Sequence, residues 1–125
     1  KPHGFPSNND NYRWRKTTKI GSFAHNVPLF FDSMWCEVWP ANSDAPPPYN
    51  GYWSGNTSTM SMVCVDRHLG VSSTVFADFS ARKVGLKELW TLTWYRNSNS
   101  SGPYTKAGGM NPQSWPAWMK KFKDY

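Results

Sequence analysis

Proline and glycine recur along most of this chain and limit the length of any regular element that it can form. The 125 residues contain ten prolines and nine glycines, and three prolines follow one another at positions 46–48. Proline lacks the backbone donor that helices and central strands need, and glycine favours turns. Aromatic residues make up 17% of the chain. This mix predicts short strands and long, well-packed loops rather than a helical bundle.

The length and the charge of the chain restrict the number of domains and the kinds of partner that it can have. The chain fits one compact domain, residues 1–125, in which the polar residues 1–26 are predicted to form an extended lead-in. No apolar run approaches the ~20 residues that a membrane-spanning helix needs. The net charge of +6 suits phosphate, anionic polysaccharide or an anionic membrane as partner, and it suits an ordinary solubilising surface as well.

The apolar pattern predicts an α+β fold, with an antiparallel sheet, one or two short helices and long loops. Strand-like apolar runs occupy residues 27–35, 60–65, 71–77 and 81–84. The last two runs are predicted to form a hairpin around residues 78–80. Helical spacing marks residues 86–94, and Ser114 followed by Pro116 is a helix start signal for residues 114–122.

The two cysteines are Cys36, which directly follows the first strand-like run, and Cys64, which lies in the second. In an exported protein they would form one disulfide, whereas two buried free thiols would pack as small apolar side chains. Both interpretations stay open. No CxxC motif or histidine cluster accompanies them, so we predict neither a metal site nor any other cofactor.

No catalytic motif stands out in the sequence, and we predict no catalytic residue. A nucleophile elbow, a phosphate-binding glycine loop and HExxH are all absent. A glycosidase needs two carboxylates ~5–10 Å apart. Asp32 and Asp78 approach each other only if their strands pair suitably, and an enzyme acting on polysaccharide is therefore a weak hypothesis.

His68 follows one apolar run and lies close in sequence to Asp66 and Arg67. With Asp32 it would make a histidine–carboxylate metal site, or it would act as a hydrogen-bonding side chain that ties a strand end to a turn. The second interpretation is the favoured one, because no second histidine or cysteine ligand is nearby.

Aromatic side chains flank the proline-rich loop. An exposed row of coplanar rings at these positions would stack on sugar rings, and the alternative is that the rings pack over the loop as its own core. The candidate ligand-binding residues are Trp39, Tyr49, Tyr52 and Trp53.

One segment carries a resemblance to a known family. Arg67 and His68 are followed, after nine intervening residues, by Asp78 and then Phe79. This arrangement resembles the prepilin-type processing-associated H-X9-DG motif of type IV pilin-like and type II secretion pseudopilin-like proteins, in a planctomycete-type bacterial branch. The runs at residues 80–92 and 108–125 are similar to the same branch, and the resemblance spans residues 26–125.

The sequence departs from that family in two ways. Phe79 replaces the motif glycine, which alters a turn that needs left-handed backbone angles. The family's N-terminal processing site and long apolar helix do not occur in these residues, so the resemblance implies the soluble C-terminal head only, with membrane contact only through that missing helix.

The resemblance implies a pilin-like head exported to the bacterial cell surface or extracellular space. It implies a non-catalytic role in assembly with other pilin-like subunits or in surface binding, with His68 and Asp78 stabilising a hairpin. It also implies an apolar sheet face where the helix docks. The alternative function is a carbohydrate-binding module for extracellular polysaccharide. Nucleic acid is not an expected partner.

Overall fold

The computed structural model of the chain describes residues 20–53 and 58–125, and it confirms the predicted α+β class. Three antiparallel strands form one sheet in the order β1-β2-β3. The strands are β1 (Pro28–Phe31), β2 (Val71–Phe76) and β3 (Ala81–Gly85), and one short helix, α1 (Met60–Val63), precedes β2. The other helical segments described are 3₁₀ helices at Gly21–Asn26, Leu86–Thr91, Pro112–Ser114 and Ala117–Met119.

The predicted hairpin is confirmed as β2 and β3. Its register pairs Val71 with Gly85 and Val75 with Ala81. The Phe79 N–H donates to the Phe76 carbonyl at 2.9 Å, and Phe79 has φ +64°. A three-residue loop that ends in a left-handed residue is a common hairpin connection, and glycine usually occupies that last position.

One predicted strand is shorter in the structure, and another begins with a helix. The first strand ends at Phe31 rather than residue 35, and the run at residues 60–65 begins with helix α1. All four residues of α1 are buried, so their apolar pattern has no period that distinguishes a helix from a strand. The Asp44 carboxylate accepts from the Met60 N–H at 3.1 Å and so satisfies one donor at the start of α1.

The predicted extended lead-in is wrong for residues 21–26, which form the 3₁₀ helix Gly21–Asn26, and residues 1–19 lie outside the described part of the chain. The predicted helix at residues 86–94 is confirmed as the shorter 3₁₀ helix Leu86–Thr91.

The predicted C-terminal helix is replaced by two separate 3₁₀ turns. Asn111, not Ser114, caps the first of them, since its side chain accepts from the Gln113 N–H at 2.9 Å. Trp115 is extended, with ψ 145°. A residue before proline disfavours helical angles, and Pro116 therefore separates the two turns.

The core lies between the sheet and the C-terminal half of the chain. Phe76, Trp90 and Met119 each have no exposed surface. The last residues close this core, because the Phe122 ring packs against Gly70 so tightly that a Cβ there would lie 2.7 Å from it. The strand order leaves β1 at one edge of the sheet, next to the loop that follows it.

Candidate functional site

A cleft of about 630 Å³ lies between β1 and the loop that follows it. We call it the aromatic cleft. Its volume falls in the range of ligand-binding clefts, ~300–1,000 Å³. The lining consists of residues 28–31 and 33–40, together with Trp94 and Tyr95.

Local hydrogen bonds explain why the chain leaves the sheet at this point. The Met34 N–H donates to the Met62 carbonyl at 2.8 Å, and the Ser33 hydroxyl donates to the same carbonyl at 3.2 Å. These bonds pin the loop to the end of α1. Trp35 consequently faces outward with 55% of its surface exposed, and Phe30 of β1 is 71% exposed.

The rings at the cleft are tilted against one another. Trp35 and Trp53 lie 5.5 Å apart with an interplanar angle of 59°. On the other side, Phe31 and Trp94 meet edge to face at 5.3 Å and 86°. The cleft is therefore a concave aromatic surface and not a flat platform.

The four predicted ligand-binding residues do not form one coplanar row. Trp39 lines the aromatic cleft, and Trp53 reaches it through its contact with Trp35. Tyr49 and Tyr52 pack against each other instead, with an interplanar angle of 84°. Tyr52 is half-buried, whereas the other three rings are exposed. Two separate ring contacts divide the predicted row, since Trp53 pairs with Trp35 whereas Tyr49 pairs with Tyr52.

The proline-rich loop beneath these rings is firmly held. Pro47 is buried, and its carbonyl accepts from the Trp118 indole N–H at 2.8 Å. The Asn50 side chain accepts from the Asp66 N–H at 2.8 Å. The loop is thus anchored at Pro47 and Asn50, and most of the rings that flank it remain at the surface.

His68 lies next to Asp32 in the structure. Its Nε2 lies 3.2 Å from an Asp32 carboxylate oxygen, and the same oxygen accepts from the Ser73 N–H at 3.2 Å. The pair ties the end of β1 to the start of β2. Within residues 20–53 and 58–125 no three histidine, cysteine or acidic side chains come together as a metal site would require.

Asp78 and Phe79 form the tip of the hairpin, at the other end of β2. The hydroxyl and the N–H of Ser80 donate to the Asp78 carboxylate and lower its pKa. Phe79 is 86% exposed. Arg67 is exposed beside His68. The motif residues accordingly sit at two separate ends of one strand.

The antiparallel register also separates the two acids considered for glycoside cleavage. Asp32 contacts Ser73 near the start of β2, whereas Asp78 follows the end of that strand. Six strand residues span roughly 20 Å. The expectation that paired strands bring these carboxylates together is wrong, because antiparallel pairing places them at opposite ends.

The two cysteines are not bonded to each other. Cys64 is buried, and burial followed by the nearby Asp66 charge raises the pKa of its thiol. Cys36 is exposed and lines the aromatic cleft, because the strand predicted to extend to residue 35 ends at Phe31.

Sequence reasoning missed Phe30 and Trp35 as surface residues of the site. Both fall in a largely apolar run, which is typical of a buried strand. Asp32 and Ser33 interrupt that run and were the local signal that the strand ends there.

Comparison with known proteins identifies no relative, since no family model, no curated protein and no solved structure matches the chain. No helix in the described part of the chain has the length and apolar character needed to cross a membrane.

Proposed function

We propose that this protein is the non-catalytic head of a pilin-like or pseudopilin-like filament subunit at the bacterial cell surface. In this proposal the aromatic cleft contacts a neighbouring pilin-like subunit. The observation that supports it best is the concentration of exposed rings around one concave surface, with Phe30 71% and Trp35 55% exposed. Exposed apolar patches of this kind mark protein interaction sites.

The cleft has the composition of an interface centre. Large aromatic side chains supply most of the binding energy in protein interfaces, provided that a partner covers them. Trp35 and Trp53 support each other and keep their orientation without a partner. A neighbouring subunit that inserts an apolar side chain between β1 and the following loop would bury them.

Crosslinking in cells tests the assembly role. A photoreactive residue replaces Trp35 in one strain and Leu69, which is 97% exposed and does not line the cleft, in a control strain. We expect position 35 alone to crosslink to another polypeptide that carries the H-X9-D pattern. Equal crosslinking at both positions, or none at position 35, would reject the cleft as an assembly surface.

Polysaccharide binding is the second candidate, supported by the polar groups that alternate with the rings. Glu37 and Ser33 line the cleft, and they can bond sugar hydroxyls while a ring covers the apolar face of the sugar. The test is retention on insoluble polysaccharides. We expect the Trp35→Ala variant to lose retention, and the Tyr49/Tyr52/Trp53 triple alanine variant to lose it as well. Retention by both variants would reject this candidate.

A further inference from the structure

The outer edge of β1 is open and lies along the aromatic cleft. The sheet has the order β1-β2-β3, so β1 is an edge strand, and within residues 20–53 and 58–125 no fourth strand pairs with it. All four residues of β1 line the cleft, whereas no residue of β2 does. Successive side chains of a strand point to opposite faces of the sheet. A cavity that contacts every residue of β1 therefore lies beside its free edge and not over one face.

The hydrogen bonds of the hairpin show which backbone groups of β2 face β1. The Phe76 N–H donates to the Ser80 carbonyl at 2.9 Å, so Phe76 turns its backbone groups toward β3. Directions alternate along an antiparallel ladder, so Val75 and Ser73 turn theirs toward β1. The Ser73 N–H agrees with this alternation, because it donates to the Asp32 carboxylate on that side at 3.2 Å.

Phe31 consequently presents its backbone to the cleft. Val75 is paired with Phe30, so the Phe30 N–H and carbonyl point to β2, and those of Phe31, the next residue, point the opposite way. Among the described residues, no loop residue bonds the Phe31 N–H or carbonyl through its backbone. An unpaired donor and acceptor on an edge strand form a template for a further strand.

The opposite edge of the sheet is protected against strand addition. β3 carries the exposed charge of Lys83, and the Glu88 carboxylate accepts from the Gly85 N–H at 3.0 Å. β1 has no charged side chain, and its Leu29 and Phe30 are both exposed. Charged side chains and covering groups are the devices by which natural proteins keep an edge from pairing. The two edges thus differ, and β1 is the one that can accept a partner.

The dimensions of the cleft suit one extended chain. Four strand residues span ~13 Å, so a cleft of about 630 Å³ beside them is roughly 7 Å across. Neighbouring strands of a sheet lie ~4.8 Å apart. The loop at residues 33–40 forms the opposite wall and is pinned to the Met62 carbonyl. A single extended segment therefore fits between β1 and this loop, whereas the edge of a folded sheet does not.

The charge of the cleft favours a basic segment. Glu37 is exposed, and among the described residues that line the cleft it is the only charged one. Trp35 adds an exposed ring, and tryptophan rings attract ammonium and guanidinium groups. Phe30 offers apolar area beside them. A strand in which basic and apolar side chains alternate matches both features, because its two kinds of side chain point to opposite faces.

We infer that the aromatic cleft receives one extended segment with alternating basic and apolar side chains, and that this segment adds to the sheet beside β1 as a fourth strand. The Phe31 N–H and carbonyl bond its backbone, and Glu37 binds a basic side chain. The inference rests on the proposed assembly role of the same cleft, and it names the part of the neighbouring subunit that enters it.

The test is a titration with a hexapeptide of alternating valine and lysine, blocked at both ends, followed by amide hydrogen exchange in NMR. We expect the Phe31 N–H to exchange at least ~10-fold more slowly with saturating peptide, because a new hydrogen bond protects it. The Phe30 N–H should change little, since it already faces β2. Unchanged exchange at Phe31 would overturn the inference.

Backbone methylation distinguishes strand addition from side-chain binding. One peptide is methylated at the valine nitrogens only and another at the lysine nitrogens only. Since alternate residues of an added strand face β1, one of these peptides should bind at least ~10-fold more weakly and the other should bind as the parent does. The same affinity for both methylated peptides would contradict strand addition.

Charge is tested by calorimetry with paired variants. Glu37→Gln should weaken binding of the valine–lysine peptide by ~2–5-fold, the size expected for an exposed ion pair. Lys83→Gln removes an exposed charge at the other edge and should leave the affinity unchanged. A valine–glutamate peptide should bind more weakly than the lysine peptide. Stronger binding of the glutamate peptide, or an equal loss in both variants, would overturn the inference of a basic partner.

The peptide titration and the crosslinking experiment separate two failures. Crosslinking at position 35 without peptide binding would overturn strand addition and leave the assembly role intact. Peptide binding without crosslinking would reject the assembly role and retain a cleft that accepts an extended strand.

Discussion

Two tryptophan pairs of nearly the same geometry occupy opposite environments in this molecule. Trp90 and Trp115 lie 5.3 Å apart at 72°, and Trp35 and Trp53 lie 5.5 Å apart at 59°. The first pair, which we call the interior pair, is 0% and 3% exposed, whereas the second, the surface pair, is 55% and 47% exposed. The contact between two rings therefore does not decide whether they are buried. The residues around each pair decide it.

The interior pair is closed on every side that the structure describes. The Trp90 indole N–H donates to the Asp44 carbonyl at 2.9 Å, and the Tyr104 ring packs on both tryptophans. The Lys87 ammonium lies 5.0 Å from the Trp115 ring centre and is bound at 2.8 Å by Asp124. Because the Trp90 N–H and the Lys87 ammonium each have a partner, burying these two polar groups costs less free energy than burying them unpaired.

Within residues 20–53 and 58–125, the surface pair is supported by the loop that carries Trp35. Its loop is fixed to the Met62 carbonyl by Met34 and Ser33, and its outer side faces the aromatic cleft. The contrast teaches that the fold uses the interior pair for stability and leaves the surface pair as exposed apolar area. Each aromatic side chain can bury ~150–250 Å² when it is covered.

The largest expected effect separates the two pairs by stability. Trp90→Ala should lower the free energy of unfolding by ~3–5 kcal/mol, because it empties a fully enclosed site. Trp35→Ala should lower it by less than ~1 kcal/mol, as is usual for an exposed position. Urea unfolding followed by far-UV circular dichroism measures both. Similar losses in the two variants would show that the surface pair is part of the core.

A smaller effect is expected at Phe79, an exposed ring whose backbone is strained. Its φ of +64° is a left-handed conformation, which costs an L-residue ~1–2 kcal/mol. Phe79→Gly removes that strain but adds ~0.5–1 kcal/mol of chain entropy to the unfolded state. We expect a net gain of about 0.5–1 kcal/mol in unfolding free energy, measured by urea unfolding.

Phe79→Ala is the matched control, because alanine loses the ring and keeps the strain. It should change the unfolding free energy by less than ~0.5 kcal/mol, since the ring is exposed. If alanine stabilises the protein as much as glycine does, the effect comes from the ring and the turn is not strained.

Local sequence rules predicted the hairpin well. The β-branched run before Asp78 and the polar residues after it define both strands and the turn. The His68–Asp32 contact could also be anticipated from the sequence, because a histidine and an acid at neighbouring strand ends have few other partners. These features depend on residues near one another in the chain or across one strand pair.

Which aromatic residues are buried and which are exposed could not be predicted in the same way. Trp35 lies in a largely apolar run, as do residues 60–65, yet Trp35 is exposed and residues 60–65 are buried. The difference arises because Met34 and Ser33 bond to the Met62 carbonyl, across almost thirty residues of intervening chain. A long-range contact of this kind has no signature in the local pattern.

The smallest expected effect concerns the turn that presents Phe79 at the surface. The pKa of Asp78 is lowered from its usual value of 3.8, first by the Ser80 hydroxyl and then by the Ser80 N–H. A carboxyl group with a lowered pKa in the folded state stabilises the protein above its unfolded pKa, and that contribution disappears as the pH falls through the folded pKa. Stability should therefore decline below about pH 4.

Ser80→Ala removes the first of these two hydrogen bonds and keeps the second. We expect the pKa of Asp78 to rise toward its usual value, and the loss of stability in acid to become smaller, because less stabilisation remains to be lost. Carboxyl chemical shifts of Asp78, followed by NMR between pH 2 and pH 7 at ~0.1 M salt, measure the change. An unchanged pKa in Ser80→Ala would mean that the backbone alone holds the carboxylate. The turn would then hold the exposed Phe79 ring at the surface without a side-chain hydrogen bond. The interior pair differs, because Trp90 and Lys87 each depend on a side-chain hydrogen bond.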